Sequence, residues 1–179
     1  MADAAPRLWV ERLTLTDFRN YESATLELGP EPVVLAGANG SGKTNLLEAV
    51  SLLAPGQGLR RAAYADIARA SGDGSWSVAA KVHTDLGAVD IGTGIAAGGD
   101  NAPGRIVRID GVTKQGSGIL ADYVEVAWLT PAMDGLFSGA GSERRRFLDR
   151  LILCFDAEHG RRASQFDRAM QQRNRLLSD

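Results

Sequence analysis

The sequence is poor in cysteine and in long apolar runs, and each shortage excludes a class of protein. Cys154 is the single cysteine of the 179 residues, so no internal disulfide forms, as is typical of a reducing cytoplasm. Cys154 follows an apolar run and is interpreted as a small core hydrophobe. The first twenty residues hold no apolar signal core, and no later stretch approaches the roughly 18 apolar residues that cross a membrane. We therefore predict a cytoplasmic protein with no membrane contact.

Lysine is scarce as well, with three lysines against seventeen arginines and a net charge of −2. The chain as a whole is therefore not a basic nucleic-acid binder. Residues 141–179 nevertheless carry nine arginines against six acidic residues, while the remainder has eleven basic against sixteen acidic residues. These C-terminal arginines are interpreted either as a solvated helix face or as a contact with DNA.

What the sequence does contain is a phosphate-binding pattern at residues 37–44, GANGSGKT, with the spacing G-x-x-x-x-G-K-[ST]. Its glycines let backbone N–H groups turn toward an anion. Lys43 places a charge on the outer phosphates of a nucleotide, and the Thr44 hydroxyl is a ligand for Mg²⁺. We predict that ATP and Mg²⁺ are bound by this loop, whose residues are Gly37, Ala38, Asn39, Gly40, Ser41, Gly42, Lys43 and Thr44.

The flanks of this loop predict a strand before it and a helix after it. The apolar run at 33–36 is typical of a strand buried on both faces. Apolar residues then recur at helical spacing until Pro55 and Gly56 end the helix. Its polar face is predicted to hold Asn45, Glu48 and Ser51.

The rest of the chain divides into a strand-rich and a helical part. Alternation predicts two strands joined by a tight turn within 8–28. In the region 75–129, which glycines interrupt, strands are predicted at 76–82, 88–91 and 123–129, and a glycine-rich loop is predicted at 92–104. Asp110-Gly111 predicts a hairpin between strands at 105–109 and 112–115. Helices are predicted from Ser142 and over 161–177.

A phosphate loop of this kind works with a second acid on Mg²⁺, usually an aspartate at the end of an apolar strand. The best local match is Asp156, but the apolar residues before it continue the helical spacing of Phe147 and Leu148. We interpret this stretch as helix. Residues 113–116 (TKQG) come close to the N/T-K-x-D motif with which GTPases bind guanine, but Gly116 replaces the carboxylate of that motif. We therefore do not predict a GTPase.

Several stretches together resemble the N-terminal portion of the RecF family of DNA replication and repair proteins. They occur in order from about residue 8 to residue 177: 13–21 (LTLTDFRNY), 37–53 (GANGSGKTNLLEAVSLL), 58–61 (GLRR), 128–131 (WLTP), 143–150 (ERRRFLDR) and 172–177 (QRNRLL). The resemblance implies an incomplete α/β P-loop NTPase of the ABC/SMC-head type. Its mixed sheet surrounds the P-loop helix, with an antiparallel strand-rich part and a C-terminal helical arm. Residues 1–140 would form lobe I, and residues 141–179 would begin lobe II.

The resemblance also implies a function. Such an ATPase dimerises around ATP, loads on DNA near single-strand gaps and works with RecO and RecR to place RecA during the SOS response. Asn39 would face the γ-phosphate. Arg19 and Arg60 would contact phosphate or DNA, although ordinary surface arginines explain them equally well.

The sequence departs from the family pattern in having no ABC signature, no second acid, no catalytic glutamate and no glutamine near residues 130–134. We therefore expect no catalytic residue within this chain, weak nucleotide binding at most and no efficient turnover. Two alternatives stay open: a small stand-alone P-loop kinase or phosphotransferase that uses Asp156, and a non-enzymatic interaction fragment.

Overall fold

A computed structural model describes residues 8–98, 104–153, 155–156 and 158–178. Cys154, interpreted above as a core residue, lies outside these residues. The chain divides into two compact units, the first ending at Val126 and the second beginning at Ala127. The lobes assigned to 1–140 and 141–179 stay a prediction.

The first unit contains an antiparallel sheet in which six strands follow the order β2-β1-β3-β4-β5-β6. The strands are β1 (Trp9–Phe18), β2 (Tyr21–Glu27), β3 (Trp76–Thr84), β4 (Gly87–Ile95), β5 (Ile106–Ile109) and β6 (Val112–Lys114). Alternate side chains enter the core, as the period of two requires. On β3 these are Trp76, Val78, Ala80 and Val82. The strands predicted within 8–28, at 76–82 and at 88–91 are confirmed.

The hairpin predicted at Asp110-Gly111 is also confirmed, because both residues have positive φ (50° and 77°) and join β5 to β6. The loop predicted for 92–104 is wrong in its first part, since β4 continues to Ile95. A Cβ on Gly94 would lie 2.2 Å from the Trp76 carbonyl oxygen. This glycine therefore lets two strand backbones approach closely and does not mark a loop. Residues 99–103 lie outside the described ranges.

Two predicted strands do not form. Residues 123–129 follow a 3₁₀ helix at Ser117–Asp122 and belong to no strand. Residues 33–36 have no strand partner among the described residues, and Val33 and Val34 are 54% and 88% exposed. A lone extended segment lacks the ladder hydrogen bonds that define a strand, so an apolar run does not form a strand by itself.

The predicted helix after the phosphate loop is confirmed as α1 (Lys43–Ser51), but it ends before Pro55. Arg105 contacts the carbonyl groups beyond this end, where its guanidinium donates to the carbonyl oxygens of Leu52, Ala54 and Gly56. These bonds satisfy carbonyls that a continued helix would otherwise have used.

The second unit contains α2 (Gly141–Leu153) and α3 (His159–Ser178), which confirm the two predicted C-terminal helices. The guanidinium of Arg150 lies 4.4 Å from the ring centroid of Trp128, and His159 Nε2 lies 2.9 Å from Asp149 Oδ1. Among the described residues no helix is long and apolar enough to cross a membrane.

Candidate nucleotide-binding site

The loop at 37–44 is shaped by glycines in the left-handed region of the backbone. Gly40 has φ 82° and Gly42 has φ 100°, which side chains with a Cβ rarely adopt. Gly42 is also buried, and a Cβ there would lie 2.4 Å from the Tyr21 hydroxyl. The sequence therefore requires glycine at this point for two reasons, the dihedral angle and the close approach of the β1–β2 turn.

Lys43 is the first residue of α1, and its side chain extends back toward the start of the phosphate loop. Its Nζ donates to the carbonyl oxygens of Gly37 and Ala38, each at 2.7 Å. The charge thus lies within the curve formed by residues 37–42. A phosphate entering this curve meets the ammonium group directly.

Gly42 is also the N-cap residue of α1, and no side chain caps this end of the helix. N–H groups of the first helical turn are the groups that bind phosphate at helix N-termini. Asn39 and Thr44 are both exposed here. The loop therefore brings together a lysine, a helix N-terminus and a nearby hydroxyl, while anion binding by these groups stays a prediction.

The turn between β1 and β2 packs directly against this loop and against α1. Arg19 lies in the turn with φ 56°, and its N–H donates to the Ile67 carbonyl oxygen at 2.8 Å. Asn45 Nδ2 of α1 donates to Asn20 Oδ1 of the turn at 2.6 Å. Together with the Tyr21 contact at Gly42, these bonds join the turn to the start of α1. The stretch 13–21 therefore contributes to the site.

Glu48 was assigned to the polar face of α1, and this prediction is wrong. Its side chain is 1% exposed, and Ser51 is equally buried, whereas Leu47 is 54% exposed. The Glu48 carboxylate accepts hydrogen bonds from Arg19 and Arg60. Because buried carboxylates are stable only when compensated, the two arginines explain why this face turns inward. The sequence indicates this burial in one way: Glu48 lies among apolar residues of the helix, and Arg19 and Arg60 occur in the segments before and after that helix.

The structure places Arg19 and Arg60 on the same carboxylate. Arg19 binds both Glu48 oxygens, through Nη2 at 2.6 Å and Nε at 2.9 Å, and its Nη1 donates to the Asp66 carbonyl oxygen at 2.7 Å. Arg60 uses Nη1 alone, which reaches Glu48 at 2.9 Å and Asn45 at 2.7 Å. Two cations thus share one buried carboxylate on α1, which leaves a net positive charge at this group.

Asp156 follows a helix, as interpreted from the sequence, because Leu151, Ile152 and Leu153 belong to α2. Its carboxylate is bound within the second unit. Oδ1 accepts from the Glu158 N–H at 3.1 Å, and Oδ2 pairs with Arg162. These contacts give Asp156 a structural role at the start of α3.

Comparison with known proteins identifies relatives of this chain. A family model described as AAA domain matches residues 12–110. The DNA replication and repair protein RecF of Rhizobium rhizogenes is 55% identical over 173 residues, which cover 97% of this chain and 46% of that protein. RecF of Mesorhizobium japonicum is 53% identical over 170 residues, covering 95% and 45%. The chain thus spans less than half the length of the curated relatives it matches.

Two solved structures share the fold, both of the recombination mediator protein RecF in the RecFOR pathway. The RecF-ATPrS structure matches with a TM-score of 0.80 at 24% identity, covering 96% of this chain and 45% of that chain. The RecF-ATP structure matches with a TM-score of 0.75 at the same identity, covering 96% and 46%. The predicted fold class, a P-loop ATPase of the ABC/SMC-head type present in part, is confirmed. Together with the AAA-domain match over more than half of its length, these similarities show that the chain belongs to the RecF family and corresponds to its N-terminal portion.

Proposed function

We propose that this chain binds the phosphates of ATP with residues 37–44, as the phosphate-binding half of a DNA replication and repair ATPase. The observation that carries this proposal is the position of Lys43. Its Nζ lies 2.7 Å from two carbonyl oxygens of the loop, at the start of a helix whose N-terminus has no side-chain cap. A lysine held inside a curve of glycine backbone beside a helix N-terminus is the arrangement that binds nucleotide phosphates.

The finer roles within this site follow from the chemistry of each side chain. Thr44, exposed next to Lys43, would bind Mg²⁺ through its hydroxyl, as such loops require. Asn39, exposed at the loop tip, would face the γ-phosphate. The two solved relatives are structures of RecF-ATPrS and RecF-ATP, which supports ATP as the nucleotide.

The wider role is proposed by similarity to the curated relatives, named DNA replication and repair proteins. We place the longer protein on DNA at junctions of single and double strands, as an ATP-dependent homodimer in the cytoplasm. There it would help RecO and RecR to position RecA as part of the SOS response. Contact with nucleic acid phosphates is supported by exposed arginines of the second unit, which include Arg144, Arg145, Arg146 and Arg168.

Lys43→Ala tests the core of the proposal. Titration of the chain with a fluorescent ATP analogue and Mg²⁺ should show binding that the variant weakens by about 10- to 100-fold, the value of a lost charge-assisted hydrogen bond. The matched control is Lys114→Ala on β6, which removes a lysine of the same unit away from the loop. Equal affinity of Lys43→Ala and the parent chain would overturn the proposal.

A second arm measures hydrolysis with gapped DNA present. We propose that this chain alone turns ATP over inefficiently, because the sequence has no ABC signature and its best candidate for the second acid, Asp156, is bound to Arg162 and to the Glu158 N–H. Robust turnover that Lys43→Ala abolishes would instead favour a stand-alone phosphotransferase. A chain that binds no nucleotide would keep only the interaction role.

A further inference from the structure

Glu48 is a buried carboxylate that pairs with two arginines, and these arginines differ in exposure and in the number of hydrogen bonds that hold them. Its side chain is 1% exposed and lies on α1, five residues after Lys43. At 1.5 Å per residue, this places it roughly 7.5 Å along the helix axis from the phosphate loop. A carboxylate buried this far is stable only while cations or donors compensate both of its oxygens.

Arg19 provides that compensation by itself. It donates to Oε1 at 2.6 Å and to Oε2 at 2.9 Å, the bidentate geometry that an arginine fork forms with a carboxylate. Its side chain is 18% exposed, and its remaining terminal nitrogen is bound to the Asp66 carbonyl oxygen. Arg19 is therefore a fixed anchor, and neither Glu48 oxygen depends on a second arginine.

Arg60 is held less tightly. Its side chain is 40% exposed, and only Nη1 is bound, to Glu48 Oε2 and to Asn45 Oδ1. Within the described residues, Nε and Nη2 of Arg60 donate to no protein acceptor. Arg60 can therefore turn toward an anion while Arg19 keeps the carboxylate compensated.

The place where Arg60 is held is the loop end of α1. Asn45, which shares the Arg60 Nη1 group with Glu48, stands two residues after Lys43. The same asparagine binds Asn20 of the turn that packs against Gly42. Glu48 and Asn45 thus keep a partly exposed guanidinium beside the first turn of the helix that carries the phosphate loop.

We propose that Glu48 is a positioning residue that holds Arg60 ready to pair with a phosphate oxyanion, while Arg19 compensates the carboxylate when Arg60 turns away. The inference deepens the proposed nucleotide binding and rests on it for the location of the phosphate. The oxyanion belongs either to the nucleotide or to the backbone of a nucleic acid, and the experiment separates these two sources.

The experiment is a double-mutant cycle on this chain with Glu48→Gln, Arg60→Gln and the combined variant. Arg60→Gln should weaken binding of ATP with Mg²⁺ about tenfold, the value of one hydrogen bond to a charged group. Glu48→Gln keeps the shape but releases Arg60, so we expect a smaller loss, about threefold. The combined variant should match Arg60→Gln alone, because Glu48 acts through Arg60. The matched control is Arg61→Gln, an exposed neighbour.

A merely structural Glu48 gives a different result, since its substitution would then weaken binding equally with Arg60 present or replaced. That additivity would overturn the proposal. If Glu48→Gln does not fold, Asn45→Ala removes the second contact of Arg60 Nη1 together with the contact to Asn20. The part of its effect that exceeds the effect of Asn20→Ala should likewise vanish in the Arg60→Gln background. Arg60→Lys should restore part of the affinity, because it keeps the charge.

The source of the phosphate is decided by a parallel titration with a fluorescent single-stranded oligonucleotide in the absence of nucleotide. Coupling between Glu48 and Arg60 seen there, and not with ATP, assigns the oxyanion to nucleic acid. Coupling in neither titration overturns the inference. Failure of the proposed function gives a different result from failure of this inference. If the proposed function is wrong, Lys43→Ala binds ATP as well as the parent chain does, with either arginine or glutamine at position 60.

Discussion

Strand β1 and the segment at 33–36 are both apolar runs of the first unit, yet they differ in almost every structural respect. Leu13 and Leu15 of β1 are 2% and 0% exposed, and β1 lies between β2 and β3 in the sheet. Val33 and Val34 are 54% and 88% exposed and belong to no strand. Because strands need partners on the hydrogen-bonding side, hydrophobicity alone does not make one.

The difference shows what fixes the phosphate loop in this chain. The loop is not delivered by a paired strand. It is held by the turn at its side, through the Tyr21 approach to Gly42 and the bond between Asn20 and Asn45. Val33 and Leu35 instead line a cleft of about 460 Å³, together with Leu46, Leu47 and Val50 of α1. Apolar surface of this kind is costly to leave in water.

The largest expected effect lies on β1. Leu15→Ala should lower the free energy of unfolding by about 2–5 kcal/mol, because Leu15 is completely buried and the residual cavity cannot collapse. Urea unfolding followed by circular dichroism measures this loss. Leu86→Ala is the control: its side chain is 93% exposed, so the change should stay within about 0.5 kcal/mol. Equal losses for the two variants would contradict the burial assigned to β1.

The sheet was predictable because each strand carries local signals that agree with its neighbours. Alternation within 8–28 predicts β1 and β2, and Asp110-Gly111 predicts the turn at which β5 reverses into β6. The phosphate loop was equally predictable, because its residue types answer a local backbone need. Local patterns of this kind can be recognised in the sequence without knowing which distant residues they contact in the fold.

What the sequence could not show depends on contacts between distant residues. Glu48 is buried only because Arg19 and Arg60 approach it from other segments, 29 and 12 residues away. Gly94 belongs to a strand because the Trp76 backbone lies against it. Whether residues 33–36 form a strand depends on partner strands, which no local pattern encodes.

A smaller effect is expected at the start of β1, where a bulge between Val10 and Arg12 interrupts the pairing with β3. Glu11 accepts hydrogen bonds from His83 Nε2 at 2.5 Å and from Lys81 Nζ at 3.2 Å. These bonds, that of His83 first, hold the pKa of Glu11 below its ordinary value of 4.5. A lowered pKa means that the folded state prefers the carboxylate.

The stabilisation by Glu11 is therefore present above pH 4.5 and is lost as the pH falls through the lowered pKa. Thermal unfolding of Glu11→Gln and the parent chain should give a Tm difference that is largest above that pH and closes below it. His83→Asn removes the partner that contributes most, so the pH-dependent part of the difference should shrink in that background. A Tm difference that stays constant across this pH range would contradict the assignment.

The smallest effect is expected at Val34, where a charge should be tolerated. Val34→Asp places a carboxylate on a side chain that is 88% exposed, so the free energy of unfolding should change by no more than about 0.5 kcal/mol. Val78→Asp on β3 is the matched control, because that side chain is completely buried and a charge there should prevent folding. Since the turn at 17–21 and α1 hold the phosphate loop, ATP affinity of Val34→Asp should equal that of the parent chain. A large loss of stability would instead mean that residues 33–36 are buried in a paired strand, which would remove the contrast with β1.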